Sequence, residues 1–400
     1  MKGRSELNLS KEILDKANLY RDYTARNLSK LVQTKSLSTK EKDVVELIKS
    51  MMEEANFDEV FIDGLGNVIG RIGNGKKVIA IDGHIDTVDV GNLDNWTFDP
   101  FSGEIKDGYV LGRGSADQKG GVASFITAGK ILKEIGLKND ATIYFVGSVM
   151  EEDCDGLCWK FIIEEDKIKP DVVILTEPTK CNIYRGHRGR MEIEVEFRGL
   201  SAHGSAPERG KNAIYMAAHS LIEIEKLNDN LAFDEFLGKG SVTVSQIVSD
   251  SPSLCAVADY CRFHLDRRLT FGEDKDLALN QIKNIVSKFN GEVKLLYYEE
   301  TSFTGKKYGM EKYYPTWKME LDHPVVQNGI RAYKELFNTD PIVDKWTFST
   351  NGVVIRGVYG IPAIGFGPGD EVFAHAPDEK ISIDDLVKAS AFYAMYCQTF

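Results

Sequence analysis

The sequence predicts an α/β protein, a mixed but mainly parallel sheet sandwiched by helices, with an α+β domain inserted into it. Three observations carry that expectation. Four compact apolar runs, Val78–Asp82, Ala141–Val146, Asp171–Leu175 and Pro362–Phe366, have the length and β-branched content of buried strands. Helical stretches such as 122–135 and 323–336 separate several of them. Between the third and fourth runs lies a segment of different character. It opens with Arg190–Phe197, where Met191, Ile193, Val195 and Phe197 alternate with polar residues as in a half-exposed strand.

The elements follow in order. Residues from Ser10 to Ala55 read as helical, because Ile13, Ala17, Leu28, Leu31, Val45, Leu47 and Ile48 recur at roughly helical spacing. From Val60 to Ile72 the pattern turns to short β-rich pieces interrupted by glycine. After the first three buried runs, the inserted segment continues with an amphipathic helix over 212–227, strands over 241–248 and 260–267, a helix over 276–289 and a strand over 293–298. This β-α-β-β-α-β order is ferredoxin-like. The chain is therefore expected to divide into residues 1–185 with 316–400, and 186–315 between them, and residues 301–318 read as a long loop.

Charge and composition exclude several functions. The chain has 49 Lys and Arg against 61 Asp and Glu, a net charge of −12, which is the wrong sign for tracking nucleic acid or an anionic membrane. No run approaches the ~20 apolar residues of a membrane helix. The stretch Met1–Arg26 is charged throughout and lacks the apolar core of a secretory leader. Six cysteines in 400 residues are too sparse for a disulfide scaffold and fit free thiols in the cytoplasm. A chain of this length also buries enough surface to fold without a metal staple, so metal-binding residues would serve chemistry.

Such residues are present. Val78–Asp82 runs into Gly83-His84-Ile85-Asp86, Ala141–Val146 into Glu151-Glu152, and Asp171–Leu175 into Glu177-Pro178. Ligand groups in open α/β sheets collect at the carboxyl ends of strands, so these residues should converge. The loop after the fourth run carries His375, and a glycine-punctuated loop, Gly112–Gly121, delivers Asp117 to the start of a helix. Each acid alone would read as a helix cap or a surface charge. Together, two imidazoles and three or four carboxylates suit a pair of divalent ions, zinc first, with cobalt or manganese as alternatives. Strand alternation places His84 and Asp86 on one face, where Asp86 can orient the ring. Of the adjacent acids Glu151 and Glu152, one can ligate while the other serves as general base.

The set His84-x-Asp86, Gly114-Ser-Ala-Asp117-x-Lys119-Gly-Gly121, Glu151-Glu152, Glu177-Pro178 and His375 resembles that of the co-catalytic zinc aminoacylase family. That family includes glutamate carboxypeptidase, acetylornithine deacetylase, succinyl-diaminopimelate desuccinylase, and tri- and dipeptidases. The resemblance spans nearly the whole chain. It implies a zinc-peptidase-like catalytic domain with an inserted lid and dimerisation domain, acting as a homodimer. It also implies that His84 and Glu177 bind one ion, Glu152 and His375 the other, that Asp117 bridges them, and that the Asp117–Gln118 peptide is cis. Asp86 would orient His84, and Glu151 would be the base. His203, in Ser201-Ala-His203-Gly-Ser-Ala-Pro207, would reach a site, commonly the partner subunit's, to stabilise the oxyanion. Arg268 would grip a substrate carboxylate, though an ion pair with Asp266 is an equal reading of the same residues. Asn351 and Gly352 fall where the family contacts substrate.

Longer strings, such as Glu151–Trp159, Tyr184–Glu192 and Asp344–Gly352, resemble a branch of hydrolases linked by association to selenium metabolism. Cys154 and Cys158 beside the acids read as small buried hydrophobes in preference to ligands. The cluster Arg185, His187, Arg188 and Arg190 reads either as a solvated hinge face or as an attractor of anionic substrate. The expected function is two-metal hydrolysis of an amide in a small polar carboxylate, such as an N-acyl amino acid, a dipeptide or a ureido acid. The alternative is a catalytically silent dimeric scaffold that retains the fold.

Overall fold

The computed structural model describes residues 2–400, with side chains from residue 9 onward. The reading of Met1–Arg26 as lacking a leader therefore rests partly on residues outside those described. The four buried runs form the centre of an eight-stranded sheet. Lys77–His84 lies between Ala141–Ser148 and Val172–Leu175, with Ala363–Gly365 next in line, all parallel. Glu59–Ile62 and Val68–Ile72 extend one side, and the short strands Ile183–Tyr184 and Val343–Asp344 close the other. The helical N-terminal flank becomes three helices, Lys2–Leu19, Arg21–Gln33 and Lys42–Glu54.

Helix Gly120–Ile135 packs against the C-terminal helix Ile383–Thr399, which is buried along nearly its whole length. Ala389, Phe392, Tyr393 and Tyr396 of that helix are fully enclosed. Past its charged first turns the helix is buried on every side from Ala389 to Gln398, which reports a core layer rather than an amphipathic surface.

A second buried cluster surrounds Met191, Ile193, Val195 and Phe197. The strand Gly189–Arg198 carries these residues and pairs antiparallel with Tyr260–Leu269 and Gly291–Leu295. Ser241–Asp250 forms the edge beside Tyr260–Leu269, and helices Ala213–Asp229 and Lys275–Val286 contribute Ala217, Ile224, Ala278 and Ile282 to the same cluster. The alternation of charged and apolar residues along Gly189–Arg198 thus separates a solvated face from a packed one.

The expected loop over 301–318 is instead structured. Tyr297–Thr301 and Lys307–Glu311 form a hairpin. Its Tyr298, together with Phe303, Tyr308 and Met310, packs on the larger cluster of the eight-stranded body. Lysine- and glycine-rich composition concealed the short aromatic alternation that drives this packing. The chain then pairs Tyr313–Tyr314 with Arg190–Met191, and Trp317–Lys318 with Gly186–His187, so that the two crossings between the clusters lie side by side.

Candidate metal centre

His84 is the last residue of the central strand, and its imidazole is buried. Its Nε2 lies 3.0 Å from Asp117 Oδ1, 3.8 Å from Glu177 Oε1 and 3.9 Å from Glu151 Oε2. On the other oxygen of Asp117, His375 Nε2 stands 3.6 Å from Oδ2 and 2.9 Å from Glu152 Oε2. One carboxylate therefore has an imidazole on each side. Two sets of donor atoms, His84 with Glu151 and Glu177, and His84 with Asp117 and Glu152, are each close enough to share one ion.

The local backbone explains the convergence. Three of the acids and His84 sit at or just beyond the carboxyl ends of parallel strands, where open sheets gather ligand groups. Asp117 arrives on the turn preceding helix Gly120–Ile135, and its peptide bond to Gln118 is cis. Met150 and His375 adopt left-handed backbone angles, φ +59° in both, which redirect the chain beside the strand ends.

Asp86 does more than orient the ring. The His84 Nδ1 lies 3.0 Å from the Asp86 carbonyl oxygen and 3.6 Å from its carboxylate. The carboxylate oxygens accept the backbone N–H groups of Glu151 and Glu152 at 3.2 and 3.1 Å, and the Ser38 hydroxyl at 2.6 Å. Asp86 thus ties the Glu151–Glu152 turn to the His84 strand.

The electrostatics call for cations. Burial, reinforced by neighbouring acids, holds Glu151 and Glu177 well above the ordinary carboxylate range. Burial works against charge on His84, yet the acids Glu151, Asp117, Asp86 and Glu177 outweigh it and raise the imidazole well above its usual value. Glu151 Oε1 and Glu177 Oε2 are buried without a hydrogen-bond partner. Buried polar atoms are normally satisfied, so four carboxylates and two imidazoles with oxygens to spare fit divalent metal.

The centre lines a cavity of about 390 Å³ together with Asp155, Arg190, Arg268 and Ser349. Arg268 reaches this cavity, but Asp266 occupies its Nε and Nη2 at 2.8 and 2.9 Å. Asn351 and Gly352, expected to contact substrate, are not among the residues that line it. The Asn351 amide is buried beneath the site, donating to Asp82 at 2.9 Å and Ser148 at 3.2 Å. Its oxygen accepts from Gly156 N at 2.8 Å and Cys158 Sγ at 3.2 Å. Gly352 abuts the Trp317 ring, leaving no room for a Cβ. A fully engaged amide has nothing left to offer a ligand.

His203 lies on the exposed surface of the smaller unit, outside the cavity. Of the basic cluster, only Arg190 lines the cavity, where it meets Asp155 at 3.2 Å. His187 is buried among Trp317, Thr350 and the Arg188 carbonyl, and burial lowers its pKa to about 4, so it carries no charge toward substrate. Cys154 and Cys158 are buried, and burial raises the Cys154 thiol to about 12.

Three residues were not singled out from the sequence. Glu41 is buried and accepts from Met150 N at 3.1 Å, and burial raises it to about 8. Asp155 lines the cavity four residues after Glu151, and Glu379 holds the Asp117 turn. The acid-rich run Glu151–Asp155 was the available signal for Asp155, whereas Glu41 and Glu379 lie in ordinary polar surroundings.

Comparison with known proteins places this geometry. A model of peptidase family M20/M25/M40 matches residues 80–399. The Escherichia coli (strain K12) protein "Uncharacterized protein YgeY" is 52% identical over 386 residues, covering 96% of each chain. A "Probable succinyl-diaminopimelate desuccinylase" of Staphylococcus aureus (strain MSSA476) is 32% identical over 90% of this chain and 93% of its own. The crystal structure of an M20 family metallo-carboxypeptidase from Sulfolobus solfataricus shares the fold, with a TM-score of 0.74 at 20% identity over 94% of this chain and 98% of that one.

Proposed function

We propose, from the premise that this chain belongs to peptidase family M20/M25/M40 and is a metal-dependent hydrolase of amide bonds, that it cleaves a small polar carboxylate-bearing amide at a two-ion centre. The observation that carries this reading is the Asp117 carboxylate flanked by His84 on one oxygen and His375 on the other.

His84 and Glu177 would hold one ion, Glu152 and His375 the other, and Asp117 both. Two divalent ions, zinc in this reading, supply Lewis-acid polarisation of the scissile carbonyl and acidification of a water. Glu151, buried with an unpartnered Oε1, would take a proton from the attacking water as its oxygen bonds the carbonyl carbon, and would pass that proton to the nitrogen as the C–N bond breaks. Asp86 fixes the Glu151 backbone through its N–H, so the base stays in register with His84.

His203 would donate to the oxyanion from the lid of a partner subunit. Its Nδ1 accepts from Ser205 N at 3.1 Å, which leaves the proton of a neutral ring on Nε2, the outward donor. Association would run through the edge strand Ser241–Asp250, where Val244, Ile247 and Val248 are exposed. The lid corresponds to residues 186–315 without the hairpin Tyr297–Glu311, which packs on the body formed by 1–185 and 316–400.

With Asp266 on Nε and Nη2, Arg268 offers Nη1 to a substrate carboxylate. N-acyl amino acids, dipeptides and ureido acids all meet this description. Free cysteines, with none paired among the described residues, agree with a reducing, cytoplasmic setting.

The test is metal content together with hydrolysis of a panel of those three substrate classes, for wild type and Glu151→Ala. The expected result is two ions per chain in both proteins, with turnover in wild type reduced ~10²–10⁴-fold in Glu151→Ala. Loss of an ion in Glu151→Ala would make Glu151 a ligand. Two ions with no turnover in any class would overturn the substrate assignment.

A further inference from the structure

We infer that Glu379 is a positioning residue of the metal centre, setting the backbone of Asp117 and the segment of His375 as one unit. The inference rests on the two-ion reading above and deepens it.

The Glu379 side chain is fully buried and densely bonded. Its Oε1 accepts the backbone N–H groups of Ala116 at 2.8 Å and Asp117 at 3.0 Å. Its Oε2 accepts Gly114 N at 3.0 Å and the Arg113 guanidinium at 2.7 Å. Three backbone N–H groups of one turn, those of Gly114, Ala116 and Asp117, thus converge on a single carboxylate. The convergence depends on Gly114, which sits at φ +83° and whose Cβ would meet the Thr87 methyl at 2.8 Å. Arg113 supplies the balancing charge and lies over the Trp96 ring, 5.2 Å from its centroid.

Glu379 also stands four residues after His375 on the same short segment. Between them, Asp378 anchors that segment to Thr97, accepting its N–H at 2.7 Å and its hydroxyl at 3.0 Å. Gly112 N reaches the Glu379 carbonyl at 2.8 Å, so side chain and backbone of one residue grip the turn that presents Asp117. The separation of Asp117 Oδ2 from His375 Nε2, 3.6 Å, spans these two segments. Without the Glu379 carboxylate, three buried N–H groups lose their acceptor, and the Asp117 turn loses its registration to the segment carrying His375.

The experiment is a titration of chelator-stripped full-length chain with Zn²⁺ alone, in competition with a chromophoric chelator, alongside thermal unfolding of the ion-free proteins. Wild type is measured first, and uptake of fewer than two ions would defeat the two-ion reading independently of any variant. In Glu379→Gln, which keeps the volume but turns one acceptor into an NH₂ facing donors, Zn²⁺ dissociation constants should rise ~10–100-fold. Asp378→Asn is the control: it removes a charge from the same segment, while its amide oxygen can still accept the Thr97 N–H and the Asp117 turn is untouched. Its constants should stay within roughly threefold of wild type even where its ion-free Tm falls, since it leaves the ligand support in place. Wild-type affinity in Glu379→Gln, or affinity lost in both variants in proportion to Tm, would overturn the inference. If Glu379→Gln yields no folded chain, Arg113→Met decides. That variant keeps the carboxylate on its three N–H groups, so a lowered Tm with nearly unchanged Zn²⁺ affinity supports the positioning role, and affinity falling in step with Tm overturns it.

Discussion

His84 Nε2 and Asp117 Oδ1 lie 3.0 Å apart in a space where both side chains are buried. The surrounding acids outweigh burial and raise the imidazole well above its usual value, so the surroundings that would favour an ion on this nitrogen also favour a proton there.

Metal and proton compete for that nitrogen. Zn²⁺ affinity should weaken as pH is lowered from 8 to 6, and metal uptake near neutral pH should release protons into a weakly buffered solution. The sign for the ion-free chain is the reverse. A His with a raised folded pKa contributes stability below its unfolded value and loses it as pH rises through the folded one. Chelator-treated protein should therefore lose that contribution on the alkaline side, as read by Tm, while the Zn²⁺-loaded protein should not. Zn²⁺ binding independent of pH would remove His84 from the ligand set.

The Asn351 amide is held by protein partners on both its nitrogen and its oxygen. Asn351→Ala leaves the Asp82 carboxylate and Gly156 N–H without a partner they now hold at 2.9 and 2.8 Å. Each such loss costs about 1–3 kcal/mol. Urea unfolding should show a destabilisation of that order, with KM for any hydrolysed amide unchanged. A raised KM at unchanged stability would return Asn351 to the substrate.

Ile247 is half exposed on the unpaired edge strand Ser241–Asp250. Long exposed apolar edges are templates for pairing with a second chain. Ile247→Asp should shift a dimer toward monomer in light scattering while leaving the metal content of each chain intact. A dimer unaffected by this change would place the interface elsewhere.

Asp166 offers a pH dependence remote from the metal centre. Burial, then the nearby Asp63, raises its carboxyl to about 7. A carboxyl with a raised folded pKa binds more protons in the folded state than in the unfolded one. Stability is therefore lost as pH rises from the unfolded value near 4 through about 7. Asp166→Asn should flatten that dependence and raise Tm at pH 8 relative to wild type. An unchanged pH profile would show that Asp166 titrates alike in both states.

Much of this molecule was legible in its sequence for a local reason. A buried strand writes itself as a short β-branched run, and an alternating one as a two-residue period, so the four central strands and the inserted β-α-β-β-α-β order could be read directly. His84, Asp117, Glu151, Glu152, Glu177 and His375 could be grouped because strand ends converge in an open sheet, and the structure does bring them within one cavity. The hairpin Tyr297–Glu311 was hidden, since its aromatic residues are interleaved with lysine and glycine that read as loop.

What only the tertiary structure decided is which polar groups are already occupied. Asn351 is consumed by Asp82, which precedes it by 269 positions, and Arg268 is forked onto Asp266. The Asp117 turn is held by Glu379, 262 residues away in sequence. Residue type and strand periodicity are properties of neighbours along the chain, so the sequence alone sufficed for the fold class and for the set of candidate ligands. Hydrogen-bond saturation depends on partners that meet only after the chain has folded, and no local pattern records it.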